Sequence, residues 1–456
     1  MIYFFLISIF FFFSNEEKVM LCVVFLFYVF FLSMNGDVHG GGMLLDDLSF
    51  SMVFLTLILM MIVFMSVESG KKKHFFLSLS MSIVVMYFLV KNIFSFFILF
   101  EFSLLPIFFL ISFWGIQPER LMAVKFMMVY TLVASSPLLF FFIFLSSKGS
   151  NLMYLNENFF DSSSKWGYLV FLSLLAFWVK IPLFFFHSWL PKAHVEASLE
   201  GSMILAGVML KVGMYGMIRV LSFFSYSMLK QVIALFFCIG LIGSLVSVMV
   251  AISSDDMKMS VAFSSISHMN FCVASLASMK ISSIESWIMV MISHGLSSPM
   301  MFFLVTKIYK CSGSRSMLIS KGLVSKFPFF QFISFIIWGM NVSVPPSLSF
   351  LGEVSMIFSI YSTYSWSMMV VLFYFVFSSF FSMFNYGIQS HSSVGMPWKK
   401  SISLMAFSIS VIFSGFFFFF FFFFFFFFFF WFVLLMNFEG GGGGWMNKLK
   451  GGMNVN

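Results

Sequence analysis

The residues of this chain best able to do chemistry lie where the surrounding sequence is most apolar. Lys180 and Lys211 interrupt long hydrophobic runs on either side of a segment rich in His, Pro and Glu. Glu101 falls near the middle of another run, and Glu353 follows Val344-Pro345-Pro346-Ser347-Leu348-Ser349-Phe350-Leu351-Gly352. His187, His194, His268 and His294 are spread among them. In a bilayer each mid-depth charge costs about 2.5–3.5 kcal/mol on insertion scales, so such side chains mark an ion or proton path. Burial penalises the charged form and an opposite charge nearby favours it, which suits a buried carboxyl or amine to taking up and releasing protons. The structural alternatives are a protonated Glu101 hydrogen-bonded to another helix, a Lys180 reaching back to the surface, and histidines satisfied inside packed helices. Lys258, close behind Asp255 and Asp256 near the end of a run, fits snorkelling as well as relay.

The elements that must hold these residues are helices, two of them interrupted. Pro182 follows Lys180 by two residues; it lacks an N–H and clashes with the carbonyl of Trp178, so the helix should kink or break at the lysine. Broken backbone survives in a membrane only where it is buried in protein or lines a wet cavity. The Pro345-Pro346 pair and Gly352 predict a second break beside Glu353. Charge and break therefore coincide twice, as in the discontinuous helices of transporters, and suggest a repeated architecture. Gly207, Gly213 and Gly216 around Lys211 permit close helix packing.

Composition sets the solvent. The chain is 61% hydrophobic and 9% charged, with mean hydropathy +1.05, far too apolar for a water-exposed surface of 456 residues. Its formal charge of +8 is scattered through short connectors such as Lys71 to Lys73, Lys310 and Lys399-Lys400. No single basic face of the kind nucleic acid needs is present, so no nucleic-acid partner is expected. The four cysteines stand far apart with no C-x-x-C pair, which signals neither a zinc site, a disulfide framework nor iron–sulfur ligation. No phosphate-cradling glycine loop ends in Lys-Ser/Thr, so ATP drive is not expected. The pair His187 and His194 is separated by Pro191 in a polar segment, unlike haem ligands from facing helices. The chain is expected to move charge and to hold no cofactor.

At about 20 residues per crossing, the apolar runs make an all-α, polytopic integral membrane protein of about fourteen transmembrane helices. The runs lie near 2–13, 19–34, 50–67, 75–91, 92–113, 121–146, 166–186, 202–226, 231–252, 257–279, 285–306, 327–350, 354–386 and 401–435. They are continuous rather than alternating, which favours helices over a barrel. The larger breaks, Asn35 to Leu48, Lys148 to Lys165 and Cys311 to Lys326, are too short for soluble domains. Met1 to Phe13 has no basic flank or small-residue cleavage site and reads as a first membrane helix rather than a targeting segment. Fifteen consecutive phenylalanines, Phe416 to Phe430, precede five glycines, Gly440 to Gly444. The run reads as hydrophobic filler for a last helix, and slippage in its coding tract is the alternative explanation.

Several ordered runs carry a resemblance: Gly115-Ile116-Gln117-Pro118-Glu119-Arg120-Leu121, His187-Ser188-Trp189-Leu190-Pro191-Lys192-Ala193-His194-Val195-Glu196-Ala197, Ser264-Ser265-Ile266-Ser267-His268-Met269, His294-Gly295-Leu296-Ser297-Ser298, and Pro345 to Glu353. Across roughly residues 90–390 the chain resembles the antiporter-like, proton-pumping membrane subunits of mitochondrial respiratory complex I. The resemblance implies two inverted five-helix repeats, each containing a broken helix. It divides the chain into N-terminal helices (1–90), an antiporter-like proton-translocation core (91–390) and a C-terminal hydrophobic helix with its poly-Phe run and polar tail (391–456). Glu101 and Lys180 match a Glu–Lys pair, Lys211 a central-axis lysine, His268 and His294 relay positions, and Glu353 the terminal glutamate. It further implies a mitochondrial inner-membrane location and contacts with other membrane-arm subunits, neighbouring antiporter-like chains and lipid. NADH, FMN, iron–sulfur clusters and ubiquinone would belong to other subunits, whose electron transfer drives the protons. A free-standing cation/proton antiporter subunit and a non-pumping structural subunit remain as alternatives. The pattern departs at Ser198, where the family usually has Pro, and at the additional acid Glu200, which puts the turn before the Lys211 helix in question.

Overall fold

The computed structural model describes residues 46–391 except 68–69, 116, 148–166, 225, 323 and 346, together with residues 18, 22, 25, 38–40 and 43–45. The expected spans at 2–13 and 401–435 and the poly-Phe tract lie outside the described residues, as does 19–34 apart from Cys22 and Phe25. A two-stranded antiparallel hairpin, β1 (Val38–Gly40) and β2 (Met43–Leu45), comes first, with Val38 opposite Leu45. It is the exception to an otherwise helical expectation and occupies the polar break before the first described span.

Helix α1 (Asp47–Ser66) starts where the Asp46 N–H donates to Ser49 Oγ at 2.8 Å. It is followed by α2 (Lys71–Leu89), then α3 (Ile93–Phe102) and α4 (Leu104–Trp114), which form one crossing with a distortion at Ser103. Pro106 explains the distortion, because it withholds the N–H that Phe102 C=O would accept. Arg120 Nη1 donates to the Gly115 carbonyl at 2.6 Å and closes the turn into α5 (Arg120–Ser147).

Helix α6 (Gly167–Lys180) ends at the lysine, as Pro182 requires. The carbonyl of Trp178, orphaned by the proline, accepts from the Leu183 N–H at 3.1 Å, and that of Val179 accepts from Trp189 Nε1 at 2.9 Å. After the break the chain is helical again in α7 (Trp189–Glu196), a buried half-helix where the sequence suggested a polar connector. Ser198 begins α8 (Leu199–Ile204), its carbonyl accepting from the Ser202 N–H at 2.9 Å. A π-helical turn (Leu205–Met209) leads into α9 (Leu210–Leu221). Every residue from Glu200 to Leu221 is buried.

The remaining helices are α10 (Tyr226–Ser253), α11 (Met257–Leu276), α12 (Ile281–Ser312), α13 (Pro328–Asn341), α14 (Leu348–Tyr361) and α15 (Met368–His391). Gly313 stops α12 in the left-handed region, φ 73°, with its N–H on the Tyr309 carbonyl. The second break, between α13 and α14, falls at Pro345 as expected, but the helix boundaries do not. The run 354–386 is divided between α14, which is the second half of the broken helix and carries Glu353, and α15. A short turn around Tyr364 separates them, invisible in a sequence that stays apolar throughout.

Among the described residues eight helical spans are long and apolar enough to cross a membrane, so the expected fourteen are not all counted there. The broken pieces are too short, and α11 is rich in serine. Its serines are nonetheless buried and bond back to carbonyls one turn earlier, as Ser264 Oγ does to Val261. Helix α11, the Lys211 helix and α12 form the interior, while α5 and α15 turn Leu132, Val133, Phe140, Leu372, Val376 and Phe380 outward.

Candidate functional site

A line of ionisable side chains runs through this interior, built from its most buried helices. The π turn of Leu205–Met209 leaves the Ala206 carbonyl available, and Lys211 Nζ donates to it at 2.8 Å. The same ammonium stands 3.0 Å from Nδ1 of His294 on α12. An ammonium there requires Nδ1 to accept, which puts the proton of a neutral His294 on Nε2. The next ring, His268 on α11, has its centroid 5.8 Å away. His268 Nδ1 in turn lies 3.5 Å from Glu353 Oε1 on α14 and 3.2 Å from the Tyr374 hydroxyl on α15. Lys211, His294, His268 and Glu353 thus come from four separate helices to form one file.

Glycine makes that convergence possible. A Cβ on Gly207 would lie 2.8 Å from Leu59 Cδ1 and 3.0 Å from Pro299 Cγ, and one on Gly295 2.7 Å from Leu55 Cδ2. Helices α1 and α12 and the π turn therefore touch at distances only glycine allows.

Lys180 and Glu101 form a second group. Lys180 Nζ donates to the Phe100 carbonyl at 2.6 Å, lies 3.4 Å from Ser103 Oγ and covers the Phe100 ring. It therefore satisfies backbone at the α3–α4 distortion. Glu101 is within electrostatic reach of the lysine and stands beside the Ser135 hydroxyl of α5. The expected pair is adjacent but open. It approaches the Lys211 helix through backbone: a Cβ on Gly213 would meet Lys180 Cβ at 3.0 Å. Among the described residues no hydrogen bond joins Lys180 to Lys211.

A further polar cluster lies outside the file. Lys258 is fully buried and donates to the Ala197 carbonyl at 3.1 Å, which removes the snorkelling reading. Arg315 lies 3.5 Å from Glu196, and Lys73 pairs with Glu200 at 2.6 Å. The additional acid Glu200 thus ties the start of the Lys211 helix to α2. His194 is buried against Phe302, with both ring nitrogens lacking a hydrogen bond. Arg219 at the end of α9 pairs with Asp46 at 2.8 Å. Sequence reasoning missed these partnerships because each joins residues far apart in the chain; an acid and a base in separate polar breaks carry no mutual signal. Tyr374 was missed because a hydroxyl in an aromatic run looks like one more aromatic.

Residues 90–382 match the family model described as NADH:quinone oxidoreductase/Mrp antiporter, TM. The chain is 40% identical over 303 residues to NADH-ubiquinone oxidoreductase chain 4 of Locusta migratoria, covering 66% of this chain and 67% of that one. It is 35% identical over 378 residues to the protein of the same name from Rhipicephalus sanguineus, covering 80% and 84%. Among solved structures, a chain of respiratory complex I from Thermus thermophilus with bound NADH has the same fold, at TM-score 0.76 and 18% identity over 90% of this chain and 92% of that one. A chain of the Mrp complex from Dietzia sp. DQ12-45-1b does too, at TM-score 0.72 and 19% identity over 83% and 44%. With its family model spanning residues 90–382 and relatives alike over most of their length, the chain belongs to the NADH-ubiquinone oxidoreductase chain 4 family of antiporter-type membrane proteins.

Proposed function

We propose that this chain is a core membrane-arm subunit of H+-translocating NADH:ubiquinone reductase, a multi-pass protein that carries protons across the mitochondrial inner membrane. The observation that carries the reading is the file Lys211–His294–His268–Glu353, in which each group stands within hydrogen-bond or ring-contact distance of the next. Its partners are the other membrane subunits of the complex, including neighbouring antiporter-like chains, and inner-membrane lipid. Electron transfer from NADH to ubiquinone takes place in those other subunits, which hold the FMN, the iron–sulfur clusters and the quinone. Residues 91–390 form the translocating core.

The geometry suggests how charge moves. Lys180 rests on the carbonyl of Phe100, the residue before Glu101, so a small displacement of α3 exchanges a neutral oxygen for a carboxylate beside its ammonium. That exchange alters how firmly the lysine holds its proton. Water passes the proton on to Lys211, and the Nε2 side of His294 hands it to His268, whose Nδ1 faces Glu353. The fold alone would also serve a free-standing antiporter subunit, but the relatives of 35–40% identity are named for the respiratory enzyme.

Lys180→Ala tests the reading. In the assembled complex it is expected to lower the number of protons moved per NADH oxidised in sealed membrane vesicles, with abundance on native gels unchanged. A normal ratio in the assembled variant removes Lys180 from the path.

A further inference from the structure

The backbone of the break after Lys180 is gripped by a buried amide from another helix. Asn270 on α11 is fully buried and makes three hydrogen bonds. Its Nδ2 donates to the carbonyl of Ile266 in its own helix at 2.8 Å and to that of Pro182 in the break at 3.3 Å. Its Oδ1 accepts from the Phe184 N–H at 3.1 Å. The assignment is fixed by the partners, since two carbonyls need a donor and one N–H needs an acceptor.

The chain is shaped around this contact. Cβ atoms on Gly243 of α10 would lie 2.7 Å from Asn270 Oδ1 and 2.6 Å from Phe184 Cβ. One on Gly240 would lie 2.7 Å from the Asn270 carbonyl. Phe185, next in the break, is held at φ 83°, a conformation an L side chain keeps only where its surroundings enforce it. Asn270 also stands two residues after His268 on α11, so the helix that carries the relay histidine is the helix that grips the Lys180 break.

We infer that Asn270 is a positioning residue for proton transfer, clamping the interrupted backbone after Lys180 to the helix of His268 so that the two groups move as one. The inference rests on the relay proposed above. Leucine at 270 fills similar space without hydrogen bonds, and aspartate sets an oxygen against both carbonyls.

The test uses the complete respiratory complex in sealed membrane vesicles, with abundance on native gels and protons moved per NADH oxidised as separate readouts. Asn270→Leu and Asn270→Asp are expected to lose as much of that ratio as Lys180→Ala in complexes of normal abundance. The double variant Asn270→Leu/Lys180→Ala is expected to lose no more than either single one. A full ratio in assembled Asn270→Leu complex overturns the inference, as does reduced abundance with the surviving complex pumping normally, which is all that a packing role would produce. If Asn270→Leu does not assemble, Gly243→Ala, which crowds Oδ1 without removing the amide, is judged by the same two readouts. A normal ratio in Lys180→Ala instead removes Lys180 from the path, and the inference with it.

Discussion

At the scale of single residues, the file is a series of neighbouring groups that can each hold a proton. His268 is its narrowest point: Glu353 and Tyr374 both face Nδ1, and a neutral ring offers that nitrogen to only one of them as donor or acceptor at a time. Glu353→Gln keeps the shape and a hydrogen-bonding oxygen but removes the group that can bind and release a proton. It is expected to slow NADH-driven proton translocation by about 10²-fold, the lower end for loss of a positioned acid or base, with Glu353→Asp recovering part; stopped-flow acidification in vesicles measures both. Glu101, Lys180, Lys211 and Glu353 were legible in the sequence because a charge in an apolar run is expensive and therefore conspicuous. Asn270 and Tyr374 were not, because an amide or hydroxyl satisfied by partners from distant helices costs little and leaves no trace in the local pattern.

At the scale of elements, proline foretold both breaks for a stated reason: each removes a donor, and at Pro182 the orphaned carbonyls are seen finding new partners in Leu183 and Trp189. The π turn before Lys211 had no such signal, since it depends on how residues 205–209 seat against α1 and α12. The division of the run 354–386 was hidden for a similar reason, because apolar residues mark burial in lipid or protein but not where a helix stops. Close packing of these elements is itself testable. A Cβ on Gly216 would overlap the Phe177 ring and lie 2.6 Å from the Tyr87 hydroxyl. Gly216→Ala is therefore expected to destabilise the bundle by about 1–3 kcal/mol. A lowered thermal-denaturation midpoint of the detergent-solubilised complex would register this, and an unchanged midpoint would mean that α9 relaxes away from α6.

At the scale of the whole molecule, polarity runs opposite to that of a water-soluble protein. Lys180, Lys211, Lys258 and Glu353 are buried in the interior, and the outer helices α5 and α15 present Val133, Phe140, Phe380 and their neighbours. These faces suit lipid and other membrane subunits, so the chain should leave the membrane only as part of a larger assembly. After mild detergent extraction of source mitochondria and native electrophoresis, its peptides are expected in the large band that stains for NADH dehydrogenase activity. Recovery only in a small unstained band would favour a free-standing antiporter. The central claim, that protons cross this interior by way of the file beginning at Lys211, is tested most directly by the number of protons moved per NADH oxidised in vesicles carrying Lys211→Met. That substitution fills the space of the lysine side chain but cannot bind a proton; a clear fall in the ratio with the complex assembled is the predicted result, and an unchanged ratio would contradict it.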